Sequence, residues 1–449
     1  MNWILRNIEQ RFNTLNESQQ NAVEAILQGW QGRSGEFILP IIEGPPGTGK
    51  TTVGVLAGSR YALENRNRRP QIAYLAYTHF AADRALESFI ELGFTPDQVL
   101  RVIDRGRRQQ NQYQIAFNEL SDLTPNQQRR LRNTPILIST VHGSRRIFDI
   151  QTQSLIIIDE FSQVSPPLYF STISKVRRSE RNPSGYVLVG DPNQLPVITS
   201  QPLLRPNVGI FIFSRRNYQP HQFNIQYRMH EGICQAVNAL REALNSYPLI
   251  THDSASQRTL NVLGYRWDGN RCPSEFQEIL RADNPCVIIN TDNLPGQEEV
   301  GFEGSKYYSE EALLVARLAD SLNQSYLDQS GNPLLPTILS PYSAQIGTIK
   351  GYLQNPELQE RCITIYQAQG REYPCVIISF ARKNPYGWIG FLAEPELRAQ
   401  TYVACSRPMA KLIILFSFST FRGHRDYDIL LDRCRDTSLI IDADPNWVR

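Results

Sequence analysis

Residues 44 to 51 read G-P-P-G-T-G-K-T, directly after the apolar run F-I-L-P-I-I-E. The spacing of Gly44, Gly49, Lys50 and Thr51 fits the phosphate-binding loop in full. Across Gly44, Pro45, Pro46, Gly47, Thr48 and Gly49, the glycines let backbone N–H groups close around phosphate oxygens where a side chain would intrude. Lys50 can reach the β- and γ-phosphates, and the Thr51 hydroxyl can hold Mg²⁺. The following T-T-V-G-V-L-A-G-S-R-Y-A-L reads as a helix whose N-terminus faces the anion. A buried strand, a glycine loop and a helix in that order commit the chain to an α/β architecture that binds a nucleoside triphosphate.

At 449 residues the chain is too long for one core and suits two domains. Its 41% hydrophobic and 20% charged content is that of a soluble globular protein. No apolar run is long enough to span a bilayer, and the start M-N-W-I-L-R-N-I-E-Q-R-F lacks the core of a signal peptide. The expectation is a cytoplasmic protein, or a nuclear one in a eukaryote, with no membrane partner. All seven cysteines lie in the second half without a C-x-x-C pair, and six scattered histidines argue against a structural zinc site. A net charge of +2 leaves the partner open, since a nucleic-acid groove can be locally basic in a nearly neutral protein.

Short apolar, β-branched runs recur at Phe37 to Ile42, Gln71 to Tyr77, Ile136 to Thr140, Leu155 to Ile158 and Tyr186 to Val189. They recur again at Cys286 to Asn290, Thr337 to Ser340, Cys362 to Ile365, Cys375 to Phe380 and Lys411 to Phe416. Without polar alternation, and with helical patterns between them, these read as parallel strands covered on both faces. The boundary is expected in S-R-R-N-Y-Q-P-H-Q-F, residues 214–223, giving domains 1–218 and 219–449. From about 91 to 134 the pattern breaks into a segment with seven arginines against five acids and no lysine. It reads as a small helical insertion, with helix-like stretches at Gln109 to Leu120 and Pro125 to Arg132. Its arginines fit either a nucleic-acid contact or a solvated face.

L-I-I-I-D-E is a buried strand that delivers Asp159 and Glu160 to its end. In a P-loop protein the first carboxylate holds Mg²⁺ and the second orients the attacking water. Next comes Y-V-L-V-G-D-P-N-Q-L-P, where Gln194 could sense the γ-phosphate. P-loop, D-E-F-S-Q, V-G-D-P-N-Q-L-P and then Q-Y-R-M-H, in this order, resemble a superfamily 1 helicase. The resemblance is to its 5′-to-3′ branch, typified by the eukaryotic nonsense-mediated-decay helicase, and runs from about Leu15 to Leu415. It implies two tandem RecA-like domains with Mg²⁺ and ATP held between them, and a single strand of RNA or DNA as partner.

The resemblance also assigns residues. Gln19 in L-N-E-S-Q matches the position that reads the adenine edge, although Val23, Ile26, Leu27 and Trp30 make the rest of that helix an ordinary core helix. Thr78 and His79 in Y-T-H-F-A-A-D match a motif touching the nucleic-acid backbone, as do Ser139 and Thr140 in I-S-T-V-H-G. In Q-Y-R-M-H, Tyr227 is implied to stack on the base and Arg228 to reach the γ-phosphate. Pro341, Tyr342 and Gln345 in L-S-P-Y-S-A-Q match a second-domain motif, with Pro341 and Tyr342 implied at the nucleic acid. Gly370 and Glu372 in Q-G-R-E fall near the ribose, and Arg407 in V-A-C-S-R is the implied arginine finger.

Three departures bear on coupling. Tyr366 and Pro374 stand where the family has acids, and Met409 stands where it has a second arginine. The glutamine motif begins at Leu15, so the expectation is a bare two-domain motor without an accessory barrel, with protein partners supplying processivity or targeting. Two activities remain open: a 5′-to-3′ helicase or translocase, and a nucleic-acid-dependent ATPase clamp with little net unwinding.

Overall fold

The computed structural model describes residues 2–28, 40–65, 70–107, 111–150, 153–174, 185–197, 199, 201, 207–209, 220–394 and 397–449. Trp30, the first three residues of the run Phe37 to Ile42, and most of the 214–223 stretch lie outside them. The chain divides into two compact units, Met1–Phe223 and Asn224–Arg449.

The first unit is an eight-stranded sheet made of β1 (Ile41–Glu43), β2 (Ile72–Ala76), β3 (Val99–Ile103), β4 (Gln114–Ala116), β5 (Ile136–Thr140), β6 (Leu155–Asp159), β7 (Gly185–Gly190) and β8 (His221–Gln222). Their spatial order is β4-β3-β5-β2-β6-β7-β1-β8, and every pairing is parallel. The continuous apolar runs follow from this. In β6, Leu155 and Ile157 pack into one core while Ile156 and Ile158 pack into another on the opposite face. Four helices cover the first face: α1 (Asn2–Asn13), α2 (Glu17–Gln28), α3 (Lys50–Glu64) and α4 (His79–Glu91). On the second face, Leu131 of α5 (Pro125–Asn133), Phe148 and Tyr169 close the core.

The expected helical insertion is only partly helical. Pro125–Asn133 is a helix with a Thr124 capping box. The described part of the other stretch, from Asn111, instead carries β4, which extends the sheet beside β3. Tyr113, Ile115 and Phe117 recur every second residue, the period of a strand and not of a helix. Ile115 and Phe117 are buried accordingly.

The second unit holds a six-stranded parallel sheet in the order Cys362–Thr364, Thr337–Ser340, Tyr373–Ser379, Pro408–Phe416, Cys286–Asn290, Leu439–Asp442. One face packs on helix Ser309–Ser325, and the helices Glu231–Ala243 and Arg425–Cys434 pack on each other. All seven cysteines are buried free thiols. Among the described residues, no helix is long and apolar enough to cross a membrane.

Candidate active site

In a parallel α/β sheet, ligands bind beyond the carboxyl ends of the strands. In the first unit those ends carry, in spatial order, Thr140 (β5), Thr78 just past β2, Asp159 and Glu160 (β6), Gly190 and Asp191 (β7), and the loop that starts at Gly44 (β1). The Gly44 N–H donates to Gly190 O at 2.8 Å and ties the loop to β7. Gly47 (φ 80°) and Gly49 (φ 81°) lie in the left-handed region, which glycine enters without strain. A Cβ on Gly44 would stand 2.6 Å from both Thr48 Oγ1 and Lys50 Cγ. Helix α3 starts at Lys50, so the N–H groups of its first turn face the loop. Lys50 Nζ donates to Pro45 O at 3.0 Å, folded back over the concavity.

Gln19 is buried against this loop. Its Nε2 donates to Thr48 O at 2.9 Å, and its Oε1 accepts the Asn16 N–H at 3.0 Å. In this arrangement the side chain braces the loop from behind.

Asp159 is 1% exposed and forms the centre of the site. Its Oδ2 accepts the Thr51 hydroxyl at 3.0 Å and the Tyr74 hydroxyl at 2.7 Å, and its Oδ1 accepts the Glu160 N–H at 2.8 Å. Burial, then the Asp159 charge, pushes the Tyr74 phenol well above its ordinary value, so it stays a donor. The Thr51 hydroxyl and Asp159 carboxylate are a hard-oxygen pair of the kind Mg²⁺ takes, with phosphate and water completing its shell. Glu160 sits in the left-handed region at φ 56°. For a residue other than glycine this costs of order 1–3 kcal/mol and concentrates at functional sites. Thr78 donates to Glu160 Oε2 at 3.3 Å while accepting the Ala81 N–H at 3.1 Å as the cap of α4.

Gln194 is buried in the turn after β7, where its N–H donates to Asp191 O at 3.2 Å. His79 Nδ1 lies 3.1 Å from Arg101 Nη2. Burial, then Arg107 and Arg101, lowers its pKa. Ser139 and Thr140 are both buried, and Thr140 Oγ1 accepts the Gly143 N–H at 3.1 Å. These two shape the turn after β5 and present little surface of their own.

In the second unit three motifs far apart in sequence converge. Arg228 Nε donates to Glu372 Oε2 at 2.8 Å and its Nη1 to Ser406 O at 3.2 Å. Arg407, 2% exposed, donates to Val403 O (2.9 Å), Arg371 O (3.3 Å) and Ser406 Oγ (3.0 Å). Tyr227 stacks on His252 with centroids 4.6 Å apart, and Gly370 has φ 76°. This cluster lies at the amino ends of the strands, where Tyr373 pairs with Pro408. Pro341 and Tyr342 follow Ser340 at the opposite, carboxyl edge.

Tyr342 is 5% exposed, so its ring is closed to a base. Its hydroxyl donates to Ile389 O at 3.3 Å and accepts Arg382 Nη1 at 3.2 Å. Gln345 is fully buried and joins Tyr308 to Ser379. What sequence reasoning missed at this edge is the pair Tyr386 and Trp388, 70% and 69% exposed. The signal was legible in N-P-Y-G-W, two aromatics among turn-forming residues just after a strand. Arg258, which donates to Tyr227 O and Arg228 O at 2.8 Å each, had no sequence signal.

The sequence matches the AAA domain over residues 14–242, half of the chain, and a second AAA domain description over 211–418. The mouse (Mus musculus) DNA replication ATP-dependent helicase/nuclease DNA2 is 26% identical over 451 residues, covering 95% of this chain and 39% of that protein. The ATP-dependent helicase upf1 of Schizosaccharomyces pombe is 24% identical over 486 residues, covering 96% of this chain and 48% of that protein. The chain thus spans less than half the length of these relatives. Among solved structures, an arterivirus nonstructural protein 10 (helicase) in complex with DNA aligns with 93% of this chain and 64% of that one, at 11% identity and a TM-score of 0.44. The chain belongs to the AAA domain family and is similar over most of its length to superfamily 1 helicases of the kind the nonsense-mediated-decay helicase typifies.

Proposed function

We propose that this chain is an ATP-driven translocase that moves 5′ to 3′ on single-stranded RNA or DNA and unwinds duplexes from a 5′ tail. The observation that carries the reading is the chain of contacts from Thr51 to Asp159, on to Glu160, and from Glu160 to Thr78. It joins the phosphate loop to a residue of a strand-contacting motif within one unit. The names of the relatives, an ATP-dependent helicase and a DNA replication helicase/nuclease, point the same way.

In this reading the loop from Gly44 to Gly49 wraps the phosphates and Lys50 neutralises their charge. Thr51 and Asp159 would hold Mg²⁺, which supplies Lewis-acid neutralisation of the phosphate oxygens when bound. Glu160, with its backbone fixed by Asp159, orients and deprotonates the attacking water. Gln194 senses the γ-phosphate, and Gln19 positions the loop and reads adenine. In the second unit Arg228 and Arg407 serve the phosphates, Glu372 and Gly370 the ribose, and Tyr227 the base. Thr78, His79, Ser139, Thr140, Pro341 and Tyr342 belong to the segments that face the strand, the buried ones acting through the turns they shape. Protein partners supply targeting, in the cytoplasm or the nucleus.

The test is strand displacement on partial duplexes with either a 5′ or a 3′ single-stranded tail, with Lys50→Ala as the inactive control. Displacement from the 5′ tail alone is expected. Displacement from the 3′ tail alone would overturn the polarity, and ATP turnover without displacement from either would leave a clamp.

A further inference from the structure

Tyr386 and Trp388 project from the loop that follows strand Tyr373–Ser379, with ring centroids 5.2 Å apart and planes 35° from parallel. Large aromatics left this open are costly, because each holds apolar area in water that burial elsewhere would remove. The loop is nevertheless held firmly in that arrangement. Asn384 Oδ1 accepts the N–H groups of Tyr386 and Trp388, both at 3.1 Å, and Asn384 Nδ2 donates to Trp388 O at 2.8 Å. Arg382 Nη2 also donates to Trp388 O. Gly387 (φ 67°) and Gly390 (φ 63°) take left-handed turns around the tryptophan. His424 Nε2 lies 2.9 Å from Gly387 O, which seats the loop on the turn that carries the exposed Arg422 and Arg425. The rings are therefore presented on a fixed frame, seated on a turn whose exposed side chains include Arg422, Arg425 and Asp428.

The same loop is bolted to the motif expected at the nucleic acid. The buried Tyr342 hydroxyl reaches Ile389 O and Arg382, so this tyrosine supports the loop and leaves the open rings to others. We propose that Tyr386 and Trp388 form a base-stacking subsite for single-stranded nucleic acid at the carboxyl edge of the second sheet. The inference rests on the single-strand reading given above and deepens it. Preformed rings held open to solvent suit nucleic-acid bases, because every base offers a π-face and contacts of this kind carry little sequence preference. Tyr342 and Arg382 are positioning residues for this subsite.

The test is the affinity of the full chain, without nucleotide, for an oligo-thymidylate and for an abasic strand of equal length. Wild type, Tyr386→Ala, Trp388→Ala and Trp388→Phe are compared. Each alanine variant is expected to bind the oligo-thymidylate roughly 5- to 150-fold more weakly, to bind the abasic strand as wild type does, and to keep the ATP turnover measured without nucleic acid. Trp388→Phe should recover most of the loss. Equal weakening on both strands would mean the loop acts through shape or charge, and unchanged affinity would mean the rings serve something other than bases; either overturns the subsite. Failure of wild type itself to bind either strand would overturn the single-strand reading, and the subsite with it.

Discussion

The phosphate loop of the first unit and the arginine cluster of the second are built on opposite principles. The loop is made by backbone, from two left-handed glycines and a helix N-terminus, and beside it stands a strand-end carboxylate with three donors on its two oxygens. Its geometry follows from consecutive residues and is complete within the unit. The cluster is made by side chains from three distant segments, and its cations are turned inward. Arg228 is paired with Glu372, and Arg407 is spent on two backbone carbonyls and the Ser406 hydroxyl. If these residues serve the phosphates as proposed, recognition is preset in the first unit, whereas in the second it requires side chains to leave good partners.

The largest effects should fall on the preset half. Lys50→Ala is expected to abolish ATP turnover. Glu160→Gln is expected to stop turnover, by about ten-thousandfold at the upper end of general-base catalysis, while ATP still binds. Steady-state hydrolysis and equilibrium nucleotide binding check both. Wild-type turnover in Glu160→Gln would remove Glu160 from the chemistry.

Next is Arg407→Ala, expected to lower turnover by roughly a thousandfold, the scale of an arginine finger. Because the residue is buried, the variant also removes three hydrogen bonds and leaves a cavity, so a loss of stability is expected as well. Turnover must then be measured where thermal unfolding shows the variant folded. A loss of stability with normal turnover would make Arg407 a structural residue and break the comparison.

A smaller effect separates the buried carboxylates of the two units. Glu311 accepts the Ser379 hydroxyl at 2.6 Å and the Ala381 N–H at 2.9 Å, yet burial raises its pKa from 4.5 to about 7. Between those values the unfolded chain has released this proton and the folded chain keeps it, so stability falls as pH rises from 4.5 to about 7. The contribution is roughly 3 kcal/mol. Urea unfolding across that range should fall more steeply with pH in wild type than in Glu311→Gln, and parallel curves would contradict the shift.

The smallest effect is expected at Glu372→Gln. The Arg228–Glu372 pair is partly exposed, and such pairs contribute no more than about 1 kcal/mol. Unfolding should barely move while the KM for ATP changes, consistent with a pair that holds its arginine rather than the fold. A large loss of stability would count against that.

Sequence patterns conveyed the sheets well because strands covered on both faces announce themselves as unbroken apolar runs. Ile136–Thr140, Cys286–Asn290 and Thr337–Ser340 form strands over the residues expected. The segment around β4 was misread because its alternating run, Tyr113, Ile115 and Phe117, is short and directly follows a polar stretch rich in arginine and glutamine. The phosphate loop was legible because its chemistry is local. The inward turn of Arg407 and the burial of Tyr342 were not, since each depends on segments distant in sequence: Arg371 for the one, Arg382 and Ile389 for the other. For Tyr386 and Trp388 the sequence N-P-Y-G-W signals two aromatics in a turn, but their exposure is set by the fold around them.

The central claim is that the Thr51–Asp159–Glu160 site hydrolyses ATP in response to a single strand. Its most direct test is steady-state ATP turnover by the full chain, with Mg²⁺, measured with no nucleic acid, single-stranded RNA, single-stranded DNA and blunt duplex side by side. The account predicts a low basal rate, strong stimulation by at least one single strand and little by duplex, all of it lost in Lys50→Ala. Turnover indifferent to every nucleic acid would contradict it.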